Sequence, residues 1–363
     1  MDALSAESML SLCAAAGIGA GATYLLCLGP AGTSATEKPA YMRFEIADMN
    51  GVSRSKTIPM RHADKDVYMP SCVHGLGSWH AVMKEGATLF KESVDNGCCN
   101  TKMVPDWSTK RKVTFARSPD EHETYSVMCE QLEPGDDSML LPDIPRTTCL
   151  KQLAKLKAKG YEMFFAHELE FTLMQPKGSP SSAPTNPGDV DAWEAAIPGI
   201  DFAATFRTCM GQDFAYRLEQ TMRDLDIDIR SINAENGDGQ LEITYAPAFG
   251  ITGPDNSFRY KNGVKELAMT MGLHATFMCK PLIDGACNGG HSNHSLWTTD
   301  ESGKKKCAFF DPDSPDKLSA VAKHWIAGVL KHGKALQALV APTVSCYNRY
   351  KIWSWSPTSC CWG

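Results

Sequence analysis

Apolar and polar positions along the chain recur with two different periods, and each period predicts its own kind of element. Apolar residues alternate with polar ones, or dominate, in short stretches typical of β-strands. These stretches are residues 41–46 (YMRFEI), 164–173, 240–245 and 275–278. Apolar residues recur every three to four positions in stretches typical of amphipathic helices. These stretches are residues 150–159, 214–225, 258–271 and 318–339. Because strands and helices mix without a strict βαβ repeat, the pattern predicts an α+β fold.

The last helical stretch carries the broadest apolar face of the chain. Its members are Ala322, Trp325, Ile326, Val329, Leu330, Leu336 and Leu339. These positions predict a long amphipathic helix over residues 318–339.

An uncharged segment of twenty residues, Met9–Leu28, lies near the N-terminus. Its length would suit a membrane span, but its many Ala and Gly residues make it only weakly hydrophobic. The acidic residues before it differ from the basic start of a signal peptide. Residues 1–39 are therefore predicted to form a poorly ordered or helical tail, with a membrane segment as the less favoured alternative.

The composition and charge of the chain limit the class of protein and its expected partners. Hydrophobic residues make up 43% and charged residues 21% of the 363 residues, which is typical of a globular protein and excludes a disordered one. The net charge is −6, and runs of Lys and Arg are no longer than three residues, as in Lys304–Lys306, so a nucleic-acid interface is not expected. None of the 14 cysteines has C-x-x-C spacing. We expect reduced, mostly buried thiols in a cytoplasmic protein, and no zinc site.

The first candidate functional residues are Glu168 and Glu170 in the second predicted strand. Since alternate residues of a strand share a face, Leu169, Phe171 and Leu173 would face the core and both acids would project from the other side. Two neighbouring carboxylates repel each other unless they are solvated or bridged by a cation. The Glu168–Glu170 pair alone does not decide between a solvated strand face and a cation site.

A second acidic pair, Glu235 and Glu242, lies before and on the third predicted strand, which also has one apolar and one polar face. Glu242 lies on the polar face of the third predicted strand, and Gly237 and Gly239 form a tight loop that could fold Glu235 back towards it. Four carboxylates on two strands are the donor set that a pair of hard divalent cations needs.

Two further residues have chemistry that depends on their surroundings. His291 follows Gly289 and Gly290, which permit a close approach of the backbone to a ligand. Beside an acidic cluster His291 could be a metal ligand or contact an anion, although a lone loop histidine is more often structural. Arg349 could bind a carboxylate, but by itself it could equally be an ordinary structural arginine.

These motifs come in a specific order: E-x-E at 168–170, E-(x)6-E at 235–242, G-x-H at 289–291, and APT…NR at 341–349. This order resembles the glutamine synthetase superfamily. Further segments similar to that family are residues 105–109 (PDWST), 143–146 (DIPR) and 275–281 (ATFMCKP). The opening segment 43–59 (RFEIADMNGVSRSKTIP) resembles the lengsin branch of the superfamily.

The resemblance implies an architecture and a ligand set. A β-grasp domain would span residues 40–133 and a glutamine-synthetase-type catalytic domain residues 140–363. Subunits would form rings with active sites between neighbours. Two Mg²⁺ or Mn²⁺ ions would bind with ATP as co-substrate. The implied roles are one ion held by Glu170, Glu235 and Glu242, a second ion shared by Glu168 and His291, and Arg349 in contact with the substrate glutamate.

The implied reaction is an ATP-dependent ligation in glutamine biosynthesis and nitrogen metabolism. ATP phosphorylates the γ-carboxylate of glutamate, and ammonia or another amine then displaces the phosphate. Divalent cations would neutralise the charge of the two anionic reactants. The alternative is a catalytically inactive, lengsin-like protein that forms rings and has a structural or interaction role.

Three departures from the family pattern bear on the activity. Trp355 stands where the family has the acid of the ammonium site, which favours an apolar or bulkier amine. The loop at residues 72–79 (CVHGLGSW) lacks the Asp that deprotonates ammonium. The chain ends at Gly363, before the arginines that bind the ATP phosphates in the family. We therefore expect a catalytic domain that is incomplete at its C-terminus. The departures support the ligase scaffold better than they support ammonia as the acceptor.

Overall fold

The computed structural model describes residues 38–75, 97, 99–115, 121–142, 144–178, 190–282 and 285–350. The predictions for Met9–Leu28, for Trp355 and for residues 76–79 of the 72–79 loop lie outside these ranges. The division into a β-grasp domain and a catalytic domain stays a prediction.

The first part of the described chain forms a seven-stranded sheet. Its strands are β1 (Ala40–Ala47), β2 (Ser53–Pro59), β3 (Tyr68–Pro70), β4 (Asn100–Pro105), β5 (Arg111–Lys112), β6 (Glu123–Glu133) and β7 (Asp136–Leu140). The main order is β2-β1-β6-β4-β3, and β5 and β7 also pair with β6. β1 and β6 run parallel, whereas β1 and β2 are antiparallel. The predicted strand 41–46 is confirmed as the main part of β1.

One face of this sheet is apolar because alternate residues of β1 point to it. Met42, Phe44 and Ile46 are buried there against Val127 of β6 and Ile144. This cluster is the core beneath the first sheet.

The second sheet has eight strands and carries the candidate site. They are β8 (Glu162–Pro176), β9 (Trp193–Ala195), β10 (Ile229–Ala234), β11 (Gln240–Tyr245), β12 (Ala248–Phe249), β13 (His274–Thr276), β14 (Gly290–Thr299) and β15 (Lys305–Cys307). The main order is β10-β11-β8-β14-β15, and β9, β12 and β13 also pair with β8. β8 is therefore the central strand, with antiparallel neighbours on both sides.

The helices pack mainly around this second sheet. They are α1 (Pro145–Ala158), α2 (Thr205–Met210), α3 (Gln212–Asp224), α4 (Thr252–Thr270), α5 (Ala320–Val340) and α6 (Val344–Tyr347). Short 3₁₀ turns occur at Met60–His62, Ser71–Gly75, Trp107–Thr109, Val190–Ala192 and Asn348–Tyr350. Phe214 and Leu218 of α3 and Tyr260 and Val264 of α4 pack in one buried cluster with Phe171 of β8. The mixture of sheets and helices confirms the predicted α+β class.

Several predicted boundaries differ from the structure, and two of them have a clear local cause. The helix predicted over 258–271 begins at Thr252, because Pro254 sits in the first turn, where its missing N–H removes no helical hydrogen bond. The strand predicted over 275–278 ends at Thr276. The Thr276 hydroxyl accepts a hydrogen bond from the backbone N–H of Met278 at 3.1 Å, so the chain turns there instead of continuing the ladder.

The long helix α5 begins at the Ser319 cap, whose hydroxyl accepts from the N–H of Ala322 at 3.1 Å. The predicted helix is confirmed, and several residues of its apolar face are exposed in the described part of the chain. Ala322 is buried, whereas Leu330 is 67% and Leu339 77% exposed. Periodicity predicts which residues share a face, and it does not say what covers that face. In the described ranges no helix is both long and apolar enough to cross a membrane.

The prediction of mostly buried cysteines is also wrong for the described residues. Cys129 is buried in β6, but Cys99 and Cys209 are exposed. Others are half-buried, namely Cys149, Cys279, Cys287, Cys307 and Cys346. Many of these lie in loops or at the ends of elements, where the backbone runs close to the surface and a small side chain cannot reach the core.

Candidate active site

The register of the second sheet brings the predicted acids together. Glu170 of β8 pairs with Glu242 of β11 on one side, and Glu168 of β8 pairs with His291 of β14 on the other. Directly paired residues of antiparallel strands project from the same face with their Cβ atoms about 4.5–5.5 Å apart. The four side chains therefore share one face of the sheet.

The opposite face of the same strands explains this orientation. Phe171 and Leu173 of β8 and Leu241 and Ile243 of β11 are buried in the core under α3 and α4. Since a strand alternates its side chains, burying the odd-numbered residues forces the even-numbered acids outward. The predicted alternation is confirmed for both strands.

The loop before β11 places the fifth candidate ligand. Gly239 has φ +70°, and a Cβ there would lie 2.5 Å from the carbonyl oxygen of Leu173, so the close turn needs glycine. The fully buried Arg207 donates to the carbonyls of Glu235 and Gly237, to the latter at 2.6 Å. Arg207 therefore holds the loop that turns Glu235 towards Glu242.

Electrostatics confirm how close the carboxylates are. Burial, together with the negative charges of Glu168, Glu235 and Glu170, raises the pKa of Glu242 from 4.5 to about 7. Burial and the charge of Glu170 also raise the pKa of Glu235. The close approach of the Glu168 side chain adds to the rise in the pKa of Glu242.

The donor set has the chemistry of a site for hard divalent cations. Mg²⁺ and Mn²⁺ prefer carboxylate oxygens and also accept imidazole. Within the described ranges, no three His, Cys, Asp or Glu side chains already surround a common point at ligand distances. A bound cation would therefore have to draw the repelling carboxylates inward, and the raised pKa of Glu242 shows that a positive charge would be favoured there.

The raised pKa of Glu242 predicts a pH-dependent stability in the absence of divalent cations. Between pH 4.5 and about 7 the folded protein keeps a proton that the unfolded chain has released. The contribution of Glu242 to the free energy of unfolding therefore falls as pH rises through this window and is level above it. We expect urea titrations to show the wild type losing stability relative to Glu242→Gln as pH rises from 4.5 to 7.

The comparison with the variant is necessary because other groups titrate in the same range. Burial lowers the pKa of His167 to about 4, which stabilises the protein as pH rises and opposes the effect of Glu242. Saturating Mn²⁺ should reverse the order, so that the wild type is the more stable protein above pH 7. A difference that stays constant from pH 4.5 to 7 would contradict the carboxylate cluster.

Sequence reasoning missed the groups that orient Glu170. Its Oε2 accepts from Gln240 Nε2 at 2.5 Å and from the backbone N–H of Gly289 at 2.8 Å. A Cβ at position 289 would lie 2.6 Å from Glu170 Oε1, so a side chain there would displace the Glu170 carboxylate. Gln240 lies two positions before Glu242, on the same face of β11, and that spacing was the available signal.

Two amides orient other members of the cluster. Asn293 Nδ2 donates to Glu168 Oε2 at 3.0 Å, and Asn233 Nδ2 donates to Glu235 Oε1 at 3.2 Å. Each amide lies two positions from a candidate ligand, Asn293 after His291 and Asn233 before Glu235. Outer partners of this kind hold ligand side chains in place.

Arg349 lies at the edge of the cluster, in the 3₁₀ turn Asn348–Tyr350. Its Nη1 donates to the carbonyl of Cys287 at 3.4 Å and lies 3.2 Å from the position of a Cβ at Gly289. Gly289 also contacts Glu170, so the structure brings Arg349 to the same site as the acids. A guanidinium there suits a carboxylate ligand.

The second histidine of the loop motif has a structural role. His294 Nε2 accepts from the indole N–H of Trp325 at 2.8 Å, and its Nδ1 lies 3.0 Å from the carbonyl of Ser292. His294 thereby joins β14 to the start of α5, and it does not join the acidic cluster.

Comparison with known proteins agrees with this geometry. The family model described as glutamine synthetase, catalytic domain, matches residues 143–363, which is more than half of the chain. Human lengsin is 30% identical over 313 residues, covering 85% of this chain and 56% of lengsin. A glutamate–methylamine ligase from Methyloversatilis universalis is 29% identical over 333 residues, covering 89% of this chain and 68% of the ligase.

A solved structure with a similar fold has a related description. A crystal structure described as a novel glutamine synthase homolog superposes with a TM-score of 0.71 at 21% identity, covering 88% of this chain and 70% of that one. The chain spans about half the length of the lengsins it matches. The matched catalytic domain contains all six predicted site residues, from Glu168 to Arg349. The chain belongs to the glutamine synthetase family.

Proposed function

We propose that this protein is an ATP- and Mg²⁺- or Mn²⁺-dependent ligase that joins glutamate to ammonia or another amine through a γ-glutamyl phosphate. The observation that carries the proposal is the sheet register, which gathers Glu168, Glu170, Glu242 and His291 on one face with Arg349 at its edge. The family membership and the glutamate–methylamine ligase among its relatives support the reaction class.

The site residues divide into two kinds of role. Glu170, Glu235 and Glu242 would hold one cation, and Glu168 and His291 would share the other. Bound divalent cations would supply the positive charge that lets ATP and the glutamate carboxylate approach and that stabilises the transferring phosphoryl group.

The remaining residues orient the Glu170 carboxylate or bind the substrate. Gln240 and the N–H of Gly289 fix the Glu170 carboxylate by hydrogen bonds to its Oε2. Arg349 would bind a carboxylate of glutamate as an ion pair. A ring of subunits is part of the proposal, as in the family, and the cytoplasm is the proposed location.

An ADP-release assay with glutamate, ATP, Mn²⁺ and a panel of amines tests this proposal. We expect ADP release to require both glutamate and an amine, with methylamine a better acceptor than ammonium. Glu170→Ala should abolish it, whereas Glu162→Gln, a carboxylate at the far end of β8 paired with Lys305, should retain it. ADP release that is the same with and without glutamate would contradict the ligase assignment.

The second candidate is a non-catalytic, ring-forming protein of the lengsin type. It is favoured by the match to human lengsin, which is 30% identical over 85% of the chain. This alternative predicts no amine-dependent ADP release with any acceptor, together with an assembled ring in light scattering. Turnover with any amine of the panel would rule it out.

A further inference from the structure

Two thiols that the proposed reaction does not use lie beside the acidic cluster. The backbone N–H of Asn288 donates to the carbonyl of Cys279 at 2.7 Å, which brings Cys287 next to Cys279. Each thiol lies close enough to the other for Cys287 to help raise the pKa of Cys279. Both are half-buried free thiols, so a small reagent can reach them.

We propose that Cys279 and Cys287 form a thiol modification site that closes into an intramolecular disulfide by exchange with a small-molecule disulfide. A thiolate of the pair attacks one sulfur of the reagent, whose other half leaves as a thiol. The second cysteine then attacks the mixed disulfide, and the other half leaves. Two protein thiols are oxidised, one reagent disulfide is reduced to two thiols, and the two protons pass to those thiols.

The surroundings set the order of these steps. Burial, followed by the neighbouring Cys287, raises the pKa of Cys279 to about 11, so Cys279 keeps its proton at neutral pH. Since the thiolate is the nucleophile, Cys279 is poorly suited to the first attack. Cys279 acts second, when the mixed disulfide is held beside it and needs no further encounter.

The thiol of a third nearby cysteine, Cys346, has a different partner. The thiol of Cys346 lies 3.1 Å from the hydroxyl of Thr343, and it is the Cys346 carbonyl that lies 3.9 Å from the Cys279 sulfur. The geometry therefore pairs Cys279 with Cys287.

The pair is coupled to the site through one carbonyl. The Cys287 carbonyl accepts from Gln240 Nε2 at 3.1 Å and from Arg349 Nη1 at 3.4 Å. Gln240 also holds Glu170. A disulfide at Cys287 rotates its peptide and weakens both contacts, so oxidation lowers the affinity for Mn²⁺. This consequence rests on the proposed function, whereas the disulfide itself does not.

Oxidised glutathione is the probe for the disulfide. Residues 266–304 form a single tryptic peptide containing both cysteines, because Lys280 is followed by Pro281. After treatment and alkylation, this peptide from the wild type should be unalkylated and two hydrogens lighter than its dithiol form. Cys279→Ser and Cys287→Ser should instead yield the alkylated or glutathione-bearing peptide. Cys209→Ser, which removes an exposed thiol on α2, should behave as the wild type.

Calorimetric Mn²⁺ titration of the reduced and oxidised protein completes the test. We expect oxidation to weaken binding by about 10-fold or more, the effect of disturbing an outer partner of a ligand. The disulfide is overturned by glutathione adducts alone or by a link from Cys279 to the peptide containing Cys346. Its coupling to the metal site is overturned by equal Mn²⁺ affinity in the two forms. A reduced protein that binds no Mn²⁺ would instead refute the proposed metal site, and the peptide mass would still decide the disulfide.

Discussion

Replacing Arg146 with methionine is expected to destabilise the protein by about 3–5 kcal/mol, because it leaves buried carboxylates without their cation. The side chain of Arg146 is 3% exposed and binds Glu130 of β6, Asp106 before the third 3₁₀ turn, and Asp255 of α4. It contacts Asp255 at 3.0 Å and Asp106 at 2.7 Å. One guanidinium therefore joins the first sheet to the helix layer of the second sheet.

The protonation states support this role. Burial alone would lower the pKa of Arg146, but the carboxylates of Asp255, Glu130 and Asp106 raise it above its ordinary value. Burial raises the pKa of Glu130 in spite of the guanidinium, so this acid is the one most dependent on its partner. Without Arg146, Glu130 and Asp255 face each other as unpaired charges in a buried setting.

Urea unfolding of Arg146→Met measures the effect, and two variants control it. Arg217→Met removes an exposed pair with Asp213 on α3 and should change the free energy of unfolding by about 1 kcal/mol or less. Adding Asp255→Asn to Arg146→Met should recover part of the lost stability, since it removes one stranded charge. A loss below about 1 kcal/mol for Arg146→Met would show that the buried carboxylates do not depend on it.

The second large effect concerns the metal site. Glu170→Ala and Glu242→Ala are each expected to abolish detectable Mn²⁺ binding. Loss of an outer partner of a ligand already weakens metal binding by about 10- to 100-fold, and loss of the ligand itself should exceed that. The two residues are paired in the ladder between β8 and β11, so each removal opens the same part of the cluster.

Isothermal titration with Mn²⁺ tests this expectation, with circular dichroism to verify folding. Glu170→Gln separates the two roles of Glu170, because it removes charge but keeps an oxygen that can accept from Gln240 and Gly289. Glu162→Gln should bind as the wild type does, since its carboxylate pairs with Lys305 at the far end of β8. An unchanged titration in both alanine variants would refute the site assignment.

Much of the second sheet follows from local patterning. The alternation in residues 164–173 and 240–245 predicts both which residues are strands and which side chains face the core, and the structure confirms both. Period-two alternation is a property of the backbone, so it can be read without knowing the neighbours of a strand. Motif order adds the family, which neither composition nor periodicity contains.

The contacts that orient the site residues are harder to predict from the sequence. Arg207 shows no motif, yet its burial under the 235–239 loop decides where Glu235 points. The side chain of Asn293 reaches Glu168 only because β14 pairs with β8 in one register, and a shift of one residue would turn it away. These contacts join residues 28 and 125 positions apart, and no local pattern encodes the pairing.

The sequence by itself determined the class of the fold, the alternation of the site strands, and the residue types that can bind cations and a carboxylate. The tertiary structure decided which of these residues meet. The ladder of β8 with β11 and β14 brings Glu168, Glu170, Glu242 and His291 to one face. The same contacts bury Glu242 among like charges and raise its pKa to about 7. The reason is that charge interactions and burial depend on distance in space, whereas the chain specifies only distance along itself.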